Sequence, residues 1–539
     1  MATAANRTPP PPESIGAGTR REAREDYALR RVPDHFRKSP LSIGMVLSGA
    51  VWSVFSFALG GSLGLLYGIP TALTGLACGY VLGAVLAVVI TRLTAANGLD
   101  IDLLSRGLGY GFMGSACSSL VYAATFMMYC GFEASFMAAA VNAQWPRVPL
   151  IPLYIVAAAV MVPVNWYGFK LNNILQRITW PLFTIGVVAL TVVTFTRHHV
   201  TGSIWAGHVT AASLLGAIGV CLPVLSIQAL AVGDWSRFAR ATDVGKVQVI
   251  ASSVAIGGLF LIEAPLGAFL AVCTKEANPG VYAASSLGVW GVLWVLVTQL
   301  RIQNMNYYSA SLATANFVAR IFRWAPGRQL WILMTAVVTA AASITGILNH
   351  LTDVLTFFGV VLLAWCGTLL GGMVFGPRYL GVSLARVEYR RGYLRNWGPA
   401  SLSGLAAGSV VGGYLTIGSV PDASYAPFVG QMAALFLAFA VFGAVAAAGK
   451  GSAALFARPA RPDWEEAPDA PVELGERVAS CVACSGTFIR TDMMPCPKDD
   501  HIALCSVCAS RDRACHADCR PELYPTRQLS AAMSGQRRR

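Results

Sequence analysis

Long apolar segments, continuous rather than alternating with polar residues, recur along most of this 539-residue chain. They lie at residues 42–64, 71–91, 117–141, 149–166, 179–196, 211–233, 248–273, 284–312, 331–348, 351–373, 398–417 and 428–449. A helix of roughly 20 residues crosses the hydrocarbon core of a bilayer, and only helices or closed barrels satisfy their backbone hydrogen bonds in lipid. The pattern therefore predicts an all-α polytopic membrane protein with about twelve transmembrane helices.

Basic residues concentrate in alternate loops between these segments. There are nineteen Lys and Arg residues between positions 41 and 449. Fifteen fall in loops on the same side of the membrane as the amino terminus, three fall in loops on the opposite side, and one, Arg301, falls inside a segment. Because short cytoplasmic loops are rich in Lys and Arg, we expect both termini in the cytoplasm and the chain in a bacterial cytoplasmic (inner) membrane. The net charge of +13 then reflects topology and contact with the anionic lipid bilayer, so it requires no nucleic-acid partner.

Composition divides the chain into five parts. Overall, 55% of the residues are hydrophobic and 12% are charged, but the two ends are polar. We assign residues 1–40 to a disordered or interfacial cytoplasmic segment without a signal peptide, 41–449 to the membrane domain, 450–474 to a linker, 475–522 to a cysteine-rich module and 523–539 to a disordered basic tail.

The cysteine-rich module has the ligand spacing of a zinc site. Cys481 and Cys484 form one C-x2-C pair, and Cys505 and Cys508 form another after a gap of twenty residues. Two such pairs complete a tetrahedron of thiolates around Zn²⁺. Candidate ligands for a second ion are Cys496, Cys515, Cys519 and one histidine, His501 or His516. A disulfide framework is the alternative, which a reducing cytoplasm disfavours. Because a module this short can hardly bury enough hydrophobic core to fold without a cross-link, we expect a structural zinc ion.

Three ionisable residues stand out well inside the apolar segments: Glu133, Glu263 and Arg301. A charged side chain costs roughly 2.5–3.5 kcal/mol at the centre of a membrane helix, so each is expected to have a partner or a function. Glu133 and Arg301 lie at similar depth, which favours a mutual ion pair. Glu133 then either fixes helix packing or takes part in ion coupling or substrate binding. Glu263 is equally compatible with a neutral, hydrogen-bonded acid beside Pro265.

The eighth segment is polar on two sides. At about 100° per residue, one side of this helix carries Arg301, Asn304 and Tyr308, and the other carries Gln299, Gln303 and Asn306. Such a helix cannot border lipid, so it is predicted to run through the interior beside a polar cavity. Glycine, serine and proline in the first and sixth segments favour broken helices next to that cavity, although such residues also serve packing.

Four motifs resemble the purine–cytosine permease group of the nucleobase/cation symporter family: "NGLDIDLLSRGLGYGFMGS", "YGFKLNNILQRITWP", "GDWSRFAR" and "YYSASLATANF". The resemblance covers roughly residues 26–450. It implies a leucine-transporter-type fold, with a 5+5 inverted repeat of spans 1–5 and 6–10 plus two extra helices. It also implies a secondary active transporter in which a bundle of spans 1, 2, 6 and 7 moves against a scaffold of spans 3, 4, 8 and 9. The substrate is then a nucleobase or a related small heterocycle, such as a purine, cytosine, allantoin or a hydantoin.

The resemblance also assigns substrate-binding positions. The family's aromatic platform in span 3 corresponds to Tyr129, its span 6 wall to Leu225–Gln228, and its span 8 amides to Gln303, Asn304 and Asn306. An aromatic ring stacks on the face of a heterocycle, and carboxamides donate and accept along its edge. The substrate-binding candidates are thus Tyr129, Gln228, Gln303, Asn304 and Asn306.

The chain departs from the family at the sodium site. Sodium-coupled members place two span 8 hydroxyls near the positions of Arg301 and Ile302, facing span 1 carbonyls that correspond to the stretch from Gly49 to Ser53. A guanidinium stays charged and can occupy such a cation site permanently. We therefore expect sodium independence, with a proton carried by Glu133 as the coupling ion or with no coupling ion.

A membrane receptor is the alternative function. The permease-like core followed by a cysteine-rich tail also resembles the input region of some bacterial sensor histidine kinases, although no kinase motif follows here. In that case the ligand binds without transport, and the tail signals to a separate cytoplasmic protein partner. We do not expect an enzyme, because no nucleophile and base have a catalytic spacing.

Overall fold

The computed structural model describes residues 27, 30–166, 169–198, 202–205, 207–322, 324, 326, 328–417 and 424–449, together with 472–473, 476–481, 487–489, 492–494 and 504–505 of the tail. Most of the segment assigned to 1–40, most of the linker and all of residues 523–539 lie outside these ranges.

Helices occupy every predicted apolar segment. In chain order they are Pro40–Val51 (span 1a) and Val54–Tyr67 (span 1b), Ile69–Asn97 (span 2), Ala116–Gln144 (span 3), Leu150–Ala159 with Met161–Trp166 (span 4), Phe169–Arg197 (span 5), Ala211–Ser236 (span 6), Ala241–Thr274 (span 7), Val289–Ile321 (span 8), Arg328–Ile344 (span 9), Leu351–Val374 (span 10), Pro399–Ile417 (span 11) and Ala426–Ala448 (span 12). Shorter helices between them are Asp34–Phe36, Ile101–Ser105, Arg106–Tyr110, Gly202–Trp205, Pro279–Leu287, Ile347–His350, Gly376–Leu380 and Arg391–Tyr393.

Length and hydrophobicity confirm a multi-pass membrane protein. Among the described residues, eight helices are long and apolar enough to cross a membrane, and the two halves of span 1 make a ninth. Spans 4 and 9 are shorter apolar helices. Span 8 is a single 33-residue helix that carries the polar side chains noted in the sequence. The predicted all-α fold of the membrane domain is therefore confirmed.

Span 1 is broken near its middle. Span 1a ends at Val51, Trp52 (φ −76°, ψ 106°) and Ser53 (φ −151°, ψ 166°) are extended, and span 1b begins at Val54; the two halves are bent by 55°. Extended backbone in a helix leaves carbonyl and N–H groups without intrahelical partners. The predicted break in span 6 is wrong, because that helix is continuous through Pro223. A proline removes only one backbone hydrogen bond, which membrane helices tolerate.

The two halves of the membrane domain pack by the same rule. Span 1 packs against span 7 as span 6 packs against span 2, and span 3 packs against span 9 as span 8 packs against span 4. This exchange of partners is what the 5+5 inverted repeat predicts. Spans 1, 2, 6 and 7 form one group of helices, the bundle, and spans 3, 4, 8 and 9 form a second, the scaffold. Spans 11 and 12 pack against span 10.

Span 1b and span 7 meet at backbone distance. A Cβ atom at Gly60 would lie 1.7 Å from the carbonyl oxygen of Ala264, and one at Gly267 would lie 2.4 Å from the carbonyl oxygen of Phe57. No larger residue fits at either glycine without moving a helix. The two helices therefore pack as one unit.

The amino-terminal segment covers one face of the domain, which we call the terminal face. The Lys38 N–H donates to the Phe238 carbonyl oxygen (2.6 Å) just after span 6. On the same face, the loop between spans 10 and 11 reaches the end of span 2, where the Val387 N–H donates to the Asn97 side chain (2.8 Å).

The described part of the tail contains five short strands: β1 (Val472–Glu473), β2 (Glu476–Ser480), β3 (Thr487–Ile489), β4 (Met493–Met494) and β5 (Leu504–Cys505). The first three form an antiparallel sheet, and β4 pairs with β5. They contact the loop between spans 10 and 11, where Arg390 donates to the Met493 carbonyl oxygen (2.9 Å) and the Tyr389 hydroxyl donates to the Asp492 carboxyl group. The tail thus lies on the terminal face.

Candidate functional site

A cavity lies inside the domain, where the span 1 break faces spans 3, 6 and 8. Its lining consists of Ser53 and Phe55 of span 1, Phe126, Tyr129 and Glu133 of span 3, Ile227, Gln228, Ala231 and Trp235 of span 6, and Ile302, Met305, Asn306 and Ser309 of span 8. All of these residues except Gln228 and Ala231 are buried. Because spans 1 and 6 belong to the bundle and spans 3 and 8 to the scaffold, the cavity lies at the interface of the two groups.

Tyr129 supplies an aromatic wall and a free hydroxyl. Its ring packs edge-on against Phe55, with the ring centroids 4.9 Å apart and the planes at 75°. Its buried hydroxyl has no hydrogen-bond partner among the described residues. A buried hydroxyl without a partner is unfavourable unless a ligand or water satisfies it. The side chain is therefore suited both to contact a ring and to hydrogen-bond a bound molecule.

The amides of span 8 divide between the cavity and the helix interfaces. Asn306 lines the cavity, whereas Gln303 donates to the Cys130 carbonyl oxygen of span 3 (3.2 Å) and Asn304 is buried away from the lining. The cavity side of span 8, with Ile302 and Ser309, lies between the two polar sides seen in the sequence. The site therefore contains Asn306 but excludes the other two predicted amides, because each position turns the side chain by about 100°.

Arg301 lies at the break in span 1. It is fully buried, and its guanidinium donates to the carbonyl oxygen of Trp52. The same group lies over the ring of Phe183 in span 5, 4.7 Å from the ring centroid. Trp52 falls within the stretch from Gly49 to Ser53 that the family resemblance matches to the sodium-binding carbonyls of related symporters. Gly49 itself lies inside the regular helix of span 1a.

The expected ion pair between Glu133 and Arg301 does not form. The Glu133 carboxyl group instead accepts from the Gln299 amide, on the side of span 8 that faces span 3. The charge of Arg301 interacts with Glu263 of span 7. Arg301 lies two residues after Gln299, so it projects about 200° away from it and toward span 1. Glu133 and Arg301 therefore lie at similar depth in the membrane domain, but their side chains point toward different neighbouring helices.

Glu263 is a residue at the break whose partner the sequence left undefined. It is buried in span 7, and its carboxyl group accepts from the Ser53 N–H at 3.2 Å. Arg301 thus satisfies the carbonyl side of the break and Glu263 satisfies its N–H side. A carboxyl group in an apolar segment indicated that Glu263 needs a partner. Only the relative positions of spans 1, 7 and 8 show that this partner is the break in span 1.

Part of the predicted zinc site lies within the described residues. Cys481, directly after β2, and Cys505, at the end of β5, are both buried, and the Cys505 N–H donates to the Cys481 sulfur at 3.3 Å. Cysteines of the two C-x2-C pairs are therefore adjacent, as a shared metal requires. The other predicted ligands lie outside the described residues: Cys484, Cys496, His501, Cys508, Cys515 and Cys519.

Comparisons with known proteins identify the fold. No protein-family model matches the chain, and no curated protein matches its sequence. The chain is similar to the inward-facing conformation of Mhp1 (TM-score 0.59, 15% identity, covering 78% of this chain and 93% of that chain). It is also similar to Mhp1, a nucleobase-cation-symport-1 family transporter, in a closed conformation with bromovinylhydantoin bound (TM-score 0.57, 14% identity, 78% and 95% covered). A third match is a substrate-bound, outward-open Na⁺-coupled sialic acid symporter (TM-score 0.53, 9% identity, 80% and 98% covered). The membrane domain has the leucine-transporter-type fold.

Proposed function

We propose that this protein is a secondary active transporter that takes up a nucleobase or a related small heterocycle by alternating access. The observation that carries the proposal is the cavity at the span 1 break, where an aromatic wall and two amides meet between bundle and scaffold. The fold shared with Mhp1, whose closed structure holds bromovinylhydantoin, supports the same substrate class. A hydantoin, like a nucleobase, is a small flat ring with amide edges.

The lining residues suit such a ring. Tyr129 offers an aromatic surface and a hydroxyl without a protein partner, and the amides of Gln228 and Asn306 can donate and accept along a heterocycle's edge. Glu133 completes the polar lining in span 3. The remaining lining is largely apolar, as small-molecule sites usually are.

Charge balance supports a proton as the coupling ion. Near the break in span 1, the described residues include two buried carboxyl groups, Glu133 and Glu263, and one buried guanidinium, Arg301. Buried charges are costly unless they are paired. The set is neutral when one carboxyl carries a proton, and Glu133, which has a neutral amide as its partner, is the candidate. Arg301 at the span 1 carbonyl makes a sodium ion there unnecessary.

The chain is expected to lie in a bacterial inner membrane with the terminal face toward the cytoplasm, since the bias of Lys and Arg favours that orientation. A zinc ion in the tail is part of the proposal: the closeness of Cys481 to Cys505 supports it, and the ion's role is to hold two hairpins together.

Binding and uptake test the proposal in two steps. A thermal-shift screen of the purified protein against purines, pyrimidines, allantoin and hydantoins should identify a stabilising ligand. That ligand, radiolabelled, should accumulate in proteoliposomes equally well in sodium and potassium buffers, and accumulation should fall when the proton gradient is collapsed. Strict dependence on sodium contradicts the coupling proposal, and stabilisation by none of these heterocycles contradicts the substrate class.

Ligand sensing without transport is a second candidate, favoured by the contact of the tail with the terminal face. Arg390 and Tyr389 hold the tail at a loop that also bonds the end of span 2, so a movement of the bundle can reach the tail. A receptor of this kind binds the heterocycle but accumulates none in proteoliposomes, and its tail has a cytoplasmic protein partner.

A further inference from the structure

A hydrogen bond joins spans 3 and 6 between the cavity and the terminal face. The Tyr122 hydroxyl of span 3 donates to one carboxyl oxygen of Asp234 in span 6. The other carboxyl oxygen lies 3.5 Å from the N–H of Ile101, in the short helix after span 2.

Both residues border the lining of the cavity. Tyr122 lies one helical turn before Phe126, and their rings pack edge-on with centroids 4.7 Å apart. Asp234 directly precedes Trp235, whose ring lies 5.7 Å from that of Tyr308 in span 8. Because span 3 begins and span 6 ends at the terminal face, this bond lies between the cavity and that face.

The bond crosses from the scaffold to the bundle, whereas a neighbouring contact does not. One residue further along span 6 from Trp235, the Ser236 hydroxyl lies 2.8 Å from the Thr94 hydroxyl of span 2, so that contact stays within the bundle. Moving the bundle away from the scaffold at the terminal face must break the bond between Tyr122 and Asp234 and can leave the contact with Thr94 intact.

We propose that Tyr122 and Asp234 form the gate that closes the cavity toward the terminal face. The bond holds the bundle against the scaffold in the closed state and breaks when the cavity opens on that side. The inference rests on the proposed transport function for the movement itself. The gate is defined by access to the cavity, however, so its test needs no substrate.

Ser309 provides a reporter inside the cavity, because Ser309→Cys replaces one oxygen by sulfur. The purified full-length protein carrying Ser309→Cys is treated with N-ethylmaleimide, and mass spectrometry follows labelling of the peptide that contains position 309. Tyr122→Phe removes the donor but keeps the ring, and we expect it to raise the labelling rate about tenfold. Asp234→Asn should also raise it, and the two changes combined should add little, since both weaken one bond.

Tyr307→Phe is the matched control. It removes a buried hydroxyl that donates to the Ala158 carbonyl oxygen at 3.0 Å within the scaffold, so it should leave the labelling rate unchanged. The gate is overturned if Tyr122→Phe and Asp234→Asn both label at the parent rate, or if Tyr307→Phe raises the rate equally. If labelling responds as expected but no heterocycle accumulates, the gate stands and the transport proposal fails.

Discussion

The guanidinium of Arg301 donates a hydrogen bond to the carbonyl oxygen of Trp52, the residue that directly follows span 1a. On the opposite side of the same break, the Ser53 N–H donates to Glu263. A cation from the scaffold and a carboxyl from the bundle therefore each satisfy one backbone group at the break, the Trp52 carbonyl oxygen and the Ser53 N–H. In the proposed transport mechanism, this cation, which is covalently part of the chain, takes the place of a bound ion at the break.

Replacing Arg301 by Met tests which carboxyl balances it. Removing one member of a buried charged pair costs about 3–5 kcal/mol, because the other member stays buried without compensation. We expect Arg301→Met to lower thermal stability strongly and Arg301→Met with Glu263→Gln to recover most of the loss. The matched double variant, Arg301→Met with Glu133→Gln, should recover little. Recovery only in the variant with Glu133→Gln would support the pair expected from the sequence instead.

Asn304 and Asn306 offer a comparison between two identical side chains on one helix. Asn306 lines the cavity and Asn304 does not. Losing a hydrogen bond to a bound heterocycle costs about 1–3 kcal/mol, so Asn306→Ala should weaken ligand binding about 5- to 150-fold in Kd by isothermal titration calorimetry. Asn304→Ala should leave Kd near the parent value, even where it alters stability. Equal weakening in both variants would place the ligand elsewhere.

Zinc content can be measured on the whole protein. Purified under reducing conditions, the chain should carry at least one zinc ion, and Cys481→Ser should remove most of it because zinc binds the thiolate. Cys117→Ser, at a partly buried cysteine of span 3, is the control and should keep the metal. Elemental analysis with less than one zinc per chain in the parent protein would contradict the site.

Glu388, in the loop that contacts the tail, should make stability depend on pH. Burial alone raises its pKa, but the charge of Arg390 and hydrogen bonds from Arg390 and the Tyr389 N–H outweigh burial and lower the pKa to about 2. A carboxyl group whose pKa is lower in the folded protein than in the unfolded chain stabilises the fold. This stabilisation is complete above the unfolded pKa and is lost as the pH falls toward the folded pKa. The shift corresponds to a contribution of roughly 3 kcal/mol to the free energy of unfolding at pH 7, and to less than about half of that contribution at pH 3.

The measurement compares the parent protein with Glu388→Gln. The difference in melting temperature between the two should be large at pH 7 and should shrink steadily below pH 4.5. A difference that stays constant down to pH 3 would mean that the Glu388 carboxylate contributes nothing to the stability of this loop.

The spans could be predicted from the sequence because hydrophobicity and length are properties of each segment alone. The break in span 1 was predicted on the same basis, from small residues around Trp52 and Ser53. The corresponding expectation for span 6 was wrong, since Pro223 stays within a continuous helix. Local composition marks where a helix can break, and the packing of neighbouring helices decides whether it does.

Partners in the site were harder to predict, because they depend on how each helix is rotated about its axis. Arg301 and Glu133 were correctly placed at similar depth, yet their helices turn them to different neighbours, Trp52 and Gln299. A single sequence contains the depth of each residue but not the rotation of one helix against another. The same rotation separates Asn306, in the cavity, from Asn304.

The glycines that bring span 1b against span 7 also locate the hinge of any motion in span 1. Since Gly60 and Gly267 leave no space between the two backbones, we expect these two helices to move as one rigid unit. Bending is then concentrated in the two extended residues, Trp52 and Ser53, where no helical ladder resists it. Arg301 and Glu263 bind those same residues. The charged groups of the protein therefore act at the bend, where a small change in backbone angle produces the largest displacement of spans 1b and 7.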